Sequence, residues 1–376
     1  MTDRGAIHFS ITHSEPGGLI EIWNDVAAGL VARGHRVERF VLYPGFGPEQ
    51  RAEAEADGWH HVMPARATGP LAIPRVFAAL VRYLRRTRPA ALVTAMPLAN
   101  VLMPLAVKVA GTATRVYISH HSPIETHNPA LVRLDTWTGR LDCVAAVICV
   151  SGAVAASLSG KPTAYRAKCV TVPNALPDRI EALIDRLCGA DAPEKVAGRI
   201  VALGRLTHQK NYPMLVRAMA YVPLGTLDIV GAGEDEAALR RLASECGVEA
   251  RVRFLGQMPR EQALAHAASA EVFVQVSHYE GHSLALIEAA RLGLPLVVSD
   301  VPVQVEGITA PDGERCGQAV SIEDDRGLGE VLARLLAQRE ERSQWAARAK
   351  RLGLGASNGA MIDAYESLLA RSVPEC

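Results

Sequence analysis

Short, predominantly apolar strands, each followed by an amphipathic helix, constrain this chain more than any other feature. A strand with no polar side cannot show a face to water. It must sit in a parallel sheet with helices on both faces. Ile7–Thr12 reads as the first, followed by Gly17-Gly18 and a helix through Ile20, Trp23, Ala27, Leu30 and Val31 that stops at Gly34. Strands at Val37–Tyr43, Ala91–Ala95, Arg115–Ser119 and Val144–Val150 alternate with helices at Pro74–Arg86, Val101–Ala110 and near Pro129–Arg140, and a short helix follows from Ser151. Around Pro173–Pro193 the pattern loosens, apart from a helix at Arg179–Leu187. It restarts with strands at Arg199–Leu203, Thr226–Val230, Val252–Leu255, Val272–Val276 and Pro295–Ser299. Between these lie helices at Tyr212–Ala220, Asp235–Cys246, Arg260–Ala267 and Leu284–Leu292.

The expected architecture is α/β: two doubly wound, Rossmann-like domains facing a deep interdomain cleft. We expect a first domain at 1–178, a linker at 179–197, a second domain at 198–355, and a C-terminal helix within 356–376 crossing back to the first domain. The 376 residues suit two domains of about 150–200 residues each. In open sheets of this kind ligands bind outside the carboxyl ends of the strands.

Lys plus Arg and Asp plus Glu number 40 each, which argues against nucleic acid or an acidic polymer as a partner. Seven cysteines, without a C-x-x-C pair or metal-like spacing, read as buried thiols of a reducing compartment. The start of the chain, Met1–Gly5, lacks a signal-peptide apolar region, and the apolar run Val101–Gly111 is about half the ~20 residues that span a bilayer. The expectation is a cytoplasmic protein. Arg82, Arg85 and Arg86 lie on a basic helix; a solvated face is the plainer reading, and docking on the inner, anionic membrane face is the sharper alternative.

Two segments carry candidate chemistry. In His278–Asp300, Glu280 ends a loop, Gly281 permits a tight turn, and Ser283 can cap the next helix. The amides of His282, Ser283 and Leu284 then sit at the positive end of that helix and suit a diphosphate, with Glu288 one turn further in for a ribose diol. In Ala202–Asn211, Gly204-Arg205 and Lys210 follow a strand end, where two cations suit the charge on a leaving diphosphate. Taken singly, the glutamates read as a turn cap and a solvated helix residue, and the cations as surface charges.

Together the segments resemble the retaining nucleotide-sugar glycosyltransferases of family 4, with the GT-B fold. The match lies in Gly204-Arg205…Lys210, in Glu280 and Glu288 at E-x7-E spacing, and in Gly293–Asp300. The resemblance implies that Arg205 and Lys210 hold the diphosphate, Glu288 the ribose and Glu280 the transferred sugar. It also implies that residues 281–284 support sugar and phosphate, and that the strand end including Gln257 and Met258 receives the base. His282-Ser283 stands where the family commonly has Phe-Gly, which leaves the donor sugar open.

In the first half, the resemblance points to Gly18 in a loop closing over the donor. It also points to one histidine of Ile118–Pro123 near the reaction centre, with His121 preferred over His120. Cys149–Ser151 and Val172–Asn174 also look like family segments, with Ala175 replacing the usual glycine. Val230-Gly-Ala-Gly-Glu opens like a dinucleotide fingerprint, but Glu236 stands at the third glycine position. No D-x-D pair occurs, so neither a metal nor another cofactor is expected. The expected donor is a UDP- or GDP-sugar, and the acceptor a glycan, a lipid-linked compound or a small molecule. The alternatives are a nucleotide-sugar 2-epimerase or hydrolase on the same fold, and a non-catalytic nucleotide-binding protein.

Overall fold

The computed structural model describes residues 5–15, 17–45, 48–66, 68, 69 and 71–370. The first and last residues of the chain, with Met1 and Cys376 among them, lie outside the described set. The chain divides into two compact units, one running to Asn174 and resuming at Gly359, the other Ala175–Asn358.

The first unit holds β1 (Ile7–His13), β2 (Val37–Tyr43), β3 (Trp59–His61), β4 (Ala91–Ala95), β5 (Arg115–His120), β6 (Val144–Cys149) and β7 (Cys169–Thr171), in the order β3-β2-β1-β4-β5-β6-β7. The second holds β8 (Arg199–Leu203), β9 (Thr226–Val230), β10 (Val252–Phe254), β11 (Val272–Gln275), β12 (Leu296–Ser299) and β13 (Gln318–Val320), in the order β10-β9-β8-β11-β12-β13. All these pairings are parallel. Both sheets are doubly wound, and even polar members of their strands, His8, Ser10, Thr94 and Asp228, are buried. The strand order reverses between β1 and β4 in the first and between β8 and β11 in the second, the points at which such sheets open a crevice.

Short edge strands β3, β7 and β13 escaped the sequence reading because three residues give no usable periodicity. The stretch read as a linker carries the helix Asp178–Leu187, which packs Ile180, Ile184 and Leu187 into the core of the second unit with Leu264 and Leu292. Arg291 adds ion pairs to Glu181 and Asp185, both at 3.1 Å. The prolines around this helix set its ends rather than a free spacer. The last helix, Asn358–Ala370, belongs mostly to the first unit. Its Tyr365 is buried beside Phe9, the Leu368 carbonyl accepts from the Tyr117 hydroxyl at 2.9 Å, and Glu366 pairs with Arg33 and His35.

The thiol reading needs one correction. Six described cysteines are free, but Cys188 is exposed, and Cys169 and Cys246 are only half-buried. No described helix is long and apolar enough to cross a membrane.

Candidate active site

β8 and β11 are neighbours at the switch point of the second sheet, so the loops leaving them meet. The loop after β8 begins at Gly204, whose φ of 141° lies in glycine territory; a Cβ there would come within 2.8 Å of Lys210 Cε. The Tyr212 hydroxyl donates to the Gly204 carbonyl at 3.0 Å and closes the loop. Lys210 ends a short 3-10 turn, His208–Lys210, and Asn211 at φ 51° starts the next helix.

Lys210 and Glu280 come together directly, with Nζ 2.7 Å from Oε1. The Ser277 hydroxyl donates to the same carboxylate oxygen at 2.7 Å. Gln209 donates to the Tyr279 carbonyl at 3.1 Å, and its own carbonyl accepts from the His278 amide at 2.8 Å. The rings of His208 and His278 stack at 4.5 Å between the same two loops. Glu280 is 6% exposed, so its charge needs these donors. Arg205 is exposed at the rim.

Glu280 and Gly281 lead into the helix Leu284–Arg291, with His282 half-buried. Ser283 caps it, accepting from the Leu286 amide at 3.4 Å and donating to Gln275 at 2.9 Å. Gln275 is in turn bonded to Gln304, which fixes the helix start against the end of β11. Glu288 is buried rather than solvated, and Arg260 Nε and Nη2 both stand 2.6 Å from its Oε1. Arg260 went unnoticed in the sequence, where nothing links it to a residue 28 positions away. Gln257 is exposed, and Met258 packs against the second unit's core beside Leu255.

The glycines that imitate a dinucleotide fingerprint have a packing role. Gly231 has φ 146°, and a Cβ on it would lie 2.0 Å from the Gly204 carbonyl oxygen; one on Gly233 would lie 2.2 Å from that of Leu206. The Leu206 amide donates to the Ala232 carbonyl at 3.0 Å, and the Asp235 amide to Leu206 at 3.1 Å. The loop after β9 therefore supports the loop bearing Arg205 and Lys210.

Gly18, His120 and His121 belong to the first unit. Gly18 opens the helix Gly18–Ala32 after β1 and is exposed. His121, just beyond β5, bonds Ser119 Oγ at 2.9 Å and meets Trp23 of that helix edge-on at 6.1 Å. His120 is buried in a network that no sequence spacing announced. Its Nε2 lies 2.9 Å from the Tyr165 hydroxyl, which donates to Asp135 at 2.8 Å, and Lys161 pairs with that carboxylate at 2.8 Å. Because the single tyrosine proton goes to Asp135, Nε2 of His120 is the donor, which fixes its tautomer.

Burial pushes His120 down to about 4 and His121 to about 3. Both are neutral when folded at pH 5, whereas the unfolded chain protonates them below about 6.5. Protons are thus bound preferentially by the unfolded state, and stability rises with pH across this window. Acidification from pH 7 to 5 is expected to cost about 2 kcal/mol per histidine, at roughly 1.4 kcal/mol per pKa unit. Thermal melts of the parent and of His121→Asn check this: the variant should lose less stability between those two pH values. Equal slopes would exclude His121 from the effect.

Among the described residues no group of three or more His, Cys, Asp or Glu is placed to hold a metal ion. Each unit matches a known family. Residues 16–178 match the family described as Glycosyltransferase Family 4, and residues 193–352 that described as Glycosyl transferases group 1. The chain is 32% identical over 184 residues to the lipopolysaccharide core biosynthesis glycosyltransferase LpsE of Rhizobium meliloti, covering 48% of this chain and 51% of that protein. It is 27% identical over 237 residues to the amylovoran biosynthesis glycosyltransferase AmsD of Erwinia amylovora, covering 62% of this chain and 65% of that protein. This chain thus covers about half the length of LpsE, and only 23% and 28% of two other curated relatives. The fold is that of Anabaena HepE, crystallised with UDP, at TM-score 0.78 and 16% identity over 97% of this chain and all of that one. The pneumococcal O-GlcNAc transferase GtfA, crystallised with UDP and GlcNAc, shares it at TM-score 0.73 and 11% identity, over 99% of this chain and all of that one.

Proposed function

We propose that this chain, which carries both domains of the GT-B glycosyltransferases, transfers a sugar from a nucleoside-diphosphate sugar to an acceptor with retention of anomeric configuration. The observation that carries the reading is the Lys210–Glu280 pair at the switch point, joining the loop that also carries exposed Arg205 to the loop that leads into the helix Leu284–Arg291. Anionic groups are favoured where cations and helix amides converge.

In this reading Arg205, Lys210 and the amides of His282, Ser283 and Leu284 take the diphosphate. Glu288, oriented by Arg260, takes the ribose, and Gly256–Met258 the base. Glu280 meets the sugar. Within the first unit, Gly18 and His121 are the residues assigned to substrate contact. The acceptor proton passes to the departing phosphate oxygen on the face from which the leaving group departs, so no protein nucleophile is needed. The protein contributes orientation and stabilises charge on the diphosphate and the oxocarbenium-like sugar. Charge on the leaving group falls to Arg205 and Lys210, without a metal ion.

The acceptor class proposed is a glycan, lipid-linked or small-molecule acceptor in polysaccharide or glycoconjugate synthesis, the setting in which LpsE and AmsD are named. A thermal-shift screen of UDP- and GDP-sugars, followed by nucleoside-diphosphate release with and without EDTA, tests donor and metal. One donor should stabilise the protein and turn over equally under chelation. Loss of turnover with EDTA, restored by a divalent cation, would refute metal independence.

A further inference from the structure

A cavity of about 820 Å³ opens in the first unit between the helices Pro48–Ala56 and Ala72–Thr87 and the strands β2 and β3. The carboxyl ends of β1, β4 and β5 contribute nothing to its lining, nor do Gly18, His120 and His121. It therefore stands apart from the crevice at the first sheet's switch point.

Its charge is distributed unevenly. Arg51, Glu55 and His61 cluster on one side: Arg51 pairs with Glu55 at 2.8 Å, and His61 Nδ1 stands 3.3 Å from the same oxygen. Glu38 faces the buried His8 at 3.4 Å. Arg82 and Arg86 also line the cavity. They are one helical turn apart on one face, where side chains are neighbours. The Arg86 guanidinium carbon stands 6.0 Å from the centre of the Tyr83 ring, and neither arginine forms an ion pair among the described residues. Arg85 is turned elsewhere, donating to the Val109 carbonyl at 3.1 Å. All three arginines read from the sequence are exposed, but their surroundings differ: Arg82 and Arg86 line the concavity and Arg85 is tied to the neighbouring helix.

We propose that this cavity binds a phosphate-bearing ligand, with Arg82 and Arg86 gripping its oxygens. Two guanidinium forks side by side match a group with several anionic oxygens better than they match a single carboxylate. Whether that phosphate belongs to a lipid headgroup or to a soluble phosphosugar is decided by separate arms of the test.

The test titrates inorganic pyrophosphate into the full chain by calorimetry, with UDP and GDP in excess so that the donor site is filled. One further binding event is expected, weakened at least about tenfold in Arg82→Gln/Arg86→Gln, as lost charge-assisted hydrogen bonds require. Arg85→Gln should bind like the parent, and thermal melts confirm that each variant folds. Absence of binding in the parent, or equal binding in the double variant, overturns the proposal. Co-sedimentation with phosphatidylglycerol vesicles against phosphatidylcholine vesicles names the source. Binding to the former that pyrophosphate displaces and the double variant loses identifies a lipid headgroup, and pyrophosphate binding alone identifies a soluble ligand. Vesicle binding that Arg85→Gln weakens as much as the double variant, and that pyrophosphate does not displace, would show a diffuse basic surface and overturn the cavity assignment.

Discussion

Lys210→Met is expected to lower kcat/KM by roughly 10²–10³-fold, the usual consequence of removing one donor to developing charge. It should also cost about 3 kcal/mol of stability, because Glu280 would remain buried with its cation gone. The two effects separate in Lys210→Met/Glu280→Gln. Neutralising the carboxylate should restore most of the stability, since Ser277 and Gln209 still serve the amide, while activity stays low. Denaturant melts and steady-state kinetics on the three variants check this. Recovered activity in the double variant would mean that Lys210 matters only as the partner of Glu280.

Gly231→Ala and Gly233→Ala should each destabilise the second unit by about 3 kcal/mol or more, through overpacking against backbone that has no room to move. The added methyl would fall 2.0 Å from the Gly204 carbonyl oxygen in the first and 2.2 Å from that of Leu206 in the second. Gly247→Ala separates this steric cost from backbone strain. Gly247 has φ 66° with nothing within 4 Å of its would-be Cβ, so only about 1–2 kcal/mol is expected. Since the same contact positions Arg205 and Lys210, Gly231→Ala should also weaken nucleoside-diphosphate binding, and Gly247→Ala should not. Equal destabilisation of all three variants would show that the loop after β9 does not brace the loop after β8.

The fold was legible where its physical cause is local. Val93, Ile148 and Val274 sit in short, predominantly apolar strands separated by helices, the pattern of a parallel sheet covered on both faces. Ser283 announced its cap because capping needs one hydroxyl at one place. The candidate site was readable as two segments, because a loop leaving one strand and a loop leaving its spatial neighbour each carry their polar residues in a short run. What could not be read was which long-range partner each buried charge takes. Arg260 on Glu288, and Tyr165 and Lys161 on Asp135, are choices made by packing across elements. Arg82, Arg85 and Arg86 looked alike in sequence because direction around a helix decides their surroundings only once its neighbours are in place. The glycines at 231 and 233 were misleading for a related reason: close approach of backbone to backbone uses the same residue as close approach of backbone to phosphate.

Retaining sugar transfer is tested most directly by following the anomeric proton by NMR, with the donor selected by the thermal-shift screen and an accepted acceptor. The account predicts a product whose new glycosidic bond has the anomeric configuration of the donor, formed together with one equivalent of nucleoside diphosphate. An inverted linkage, or quantitative conversion of the nucleotide sugar to its 2-epimer without acceptor, would contradict it.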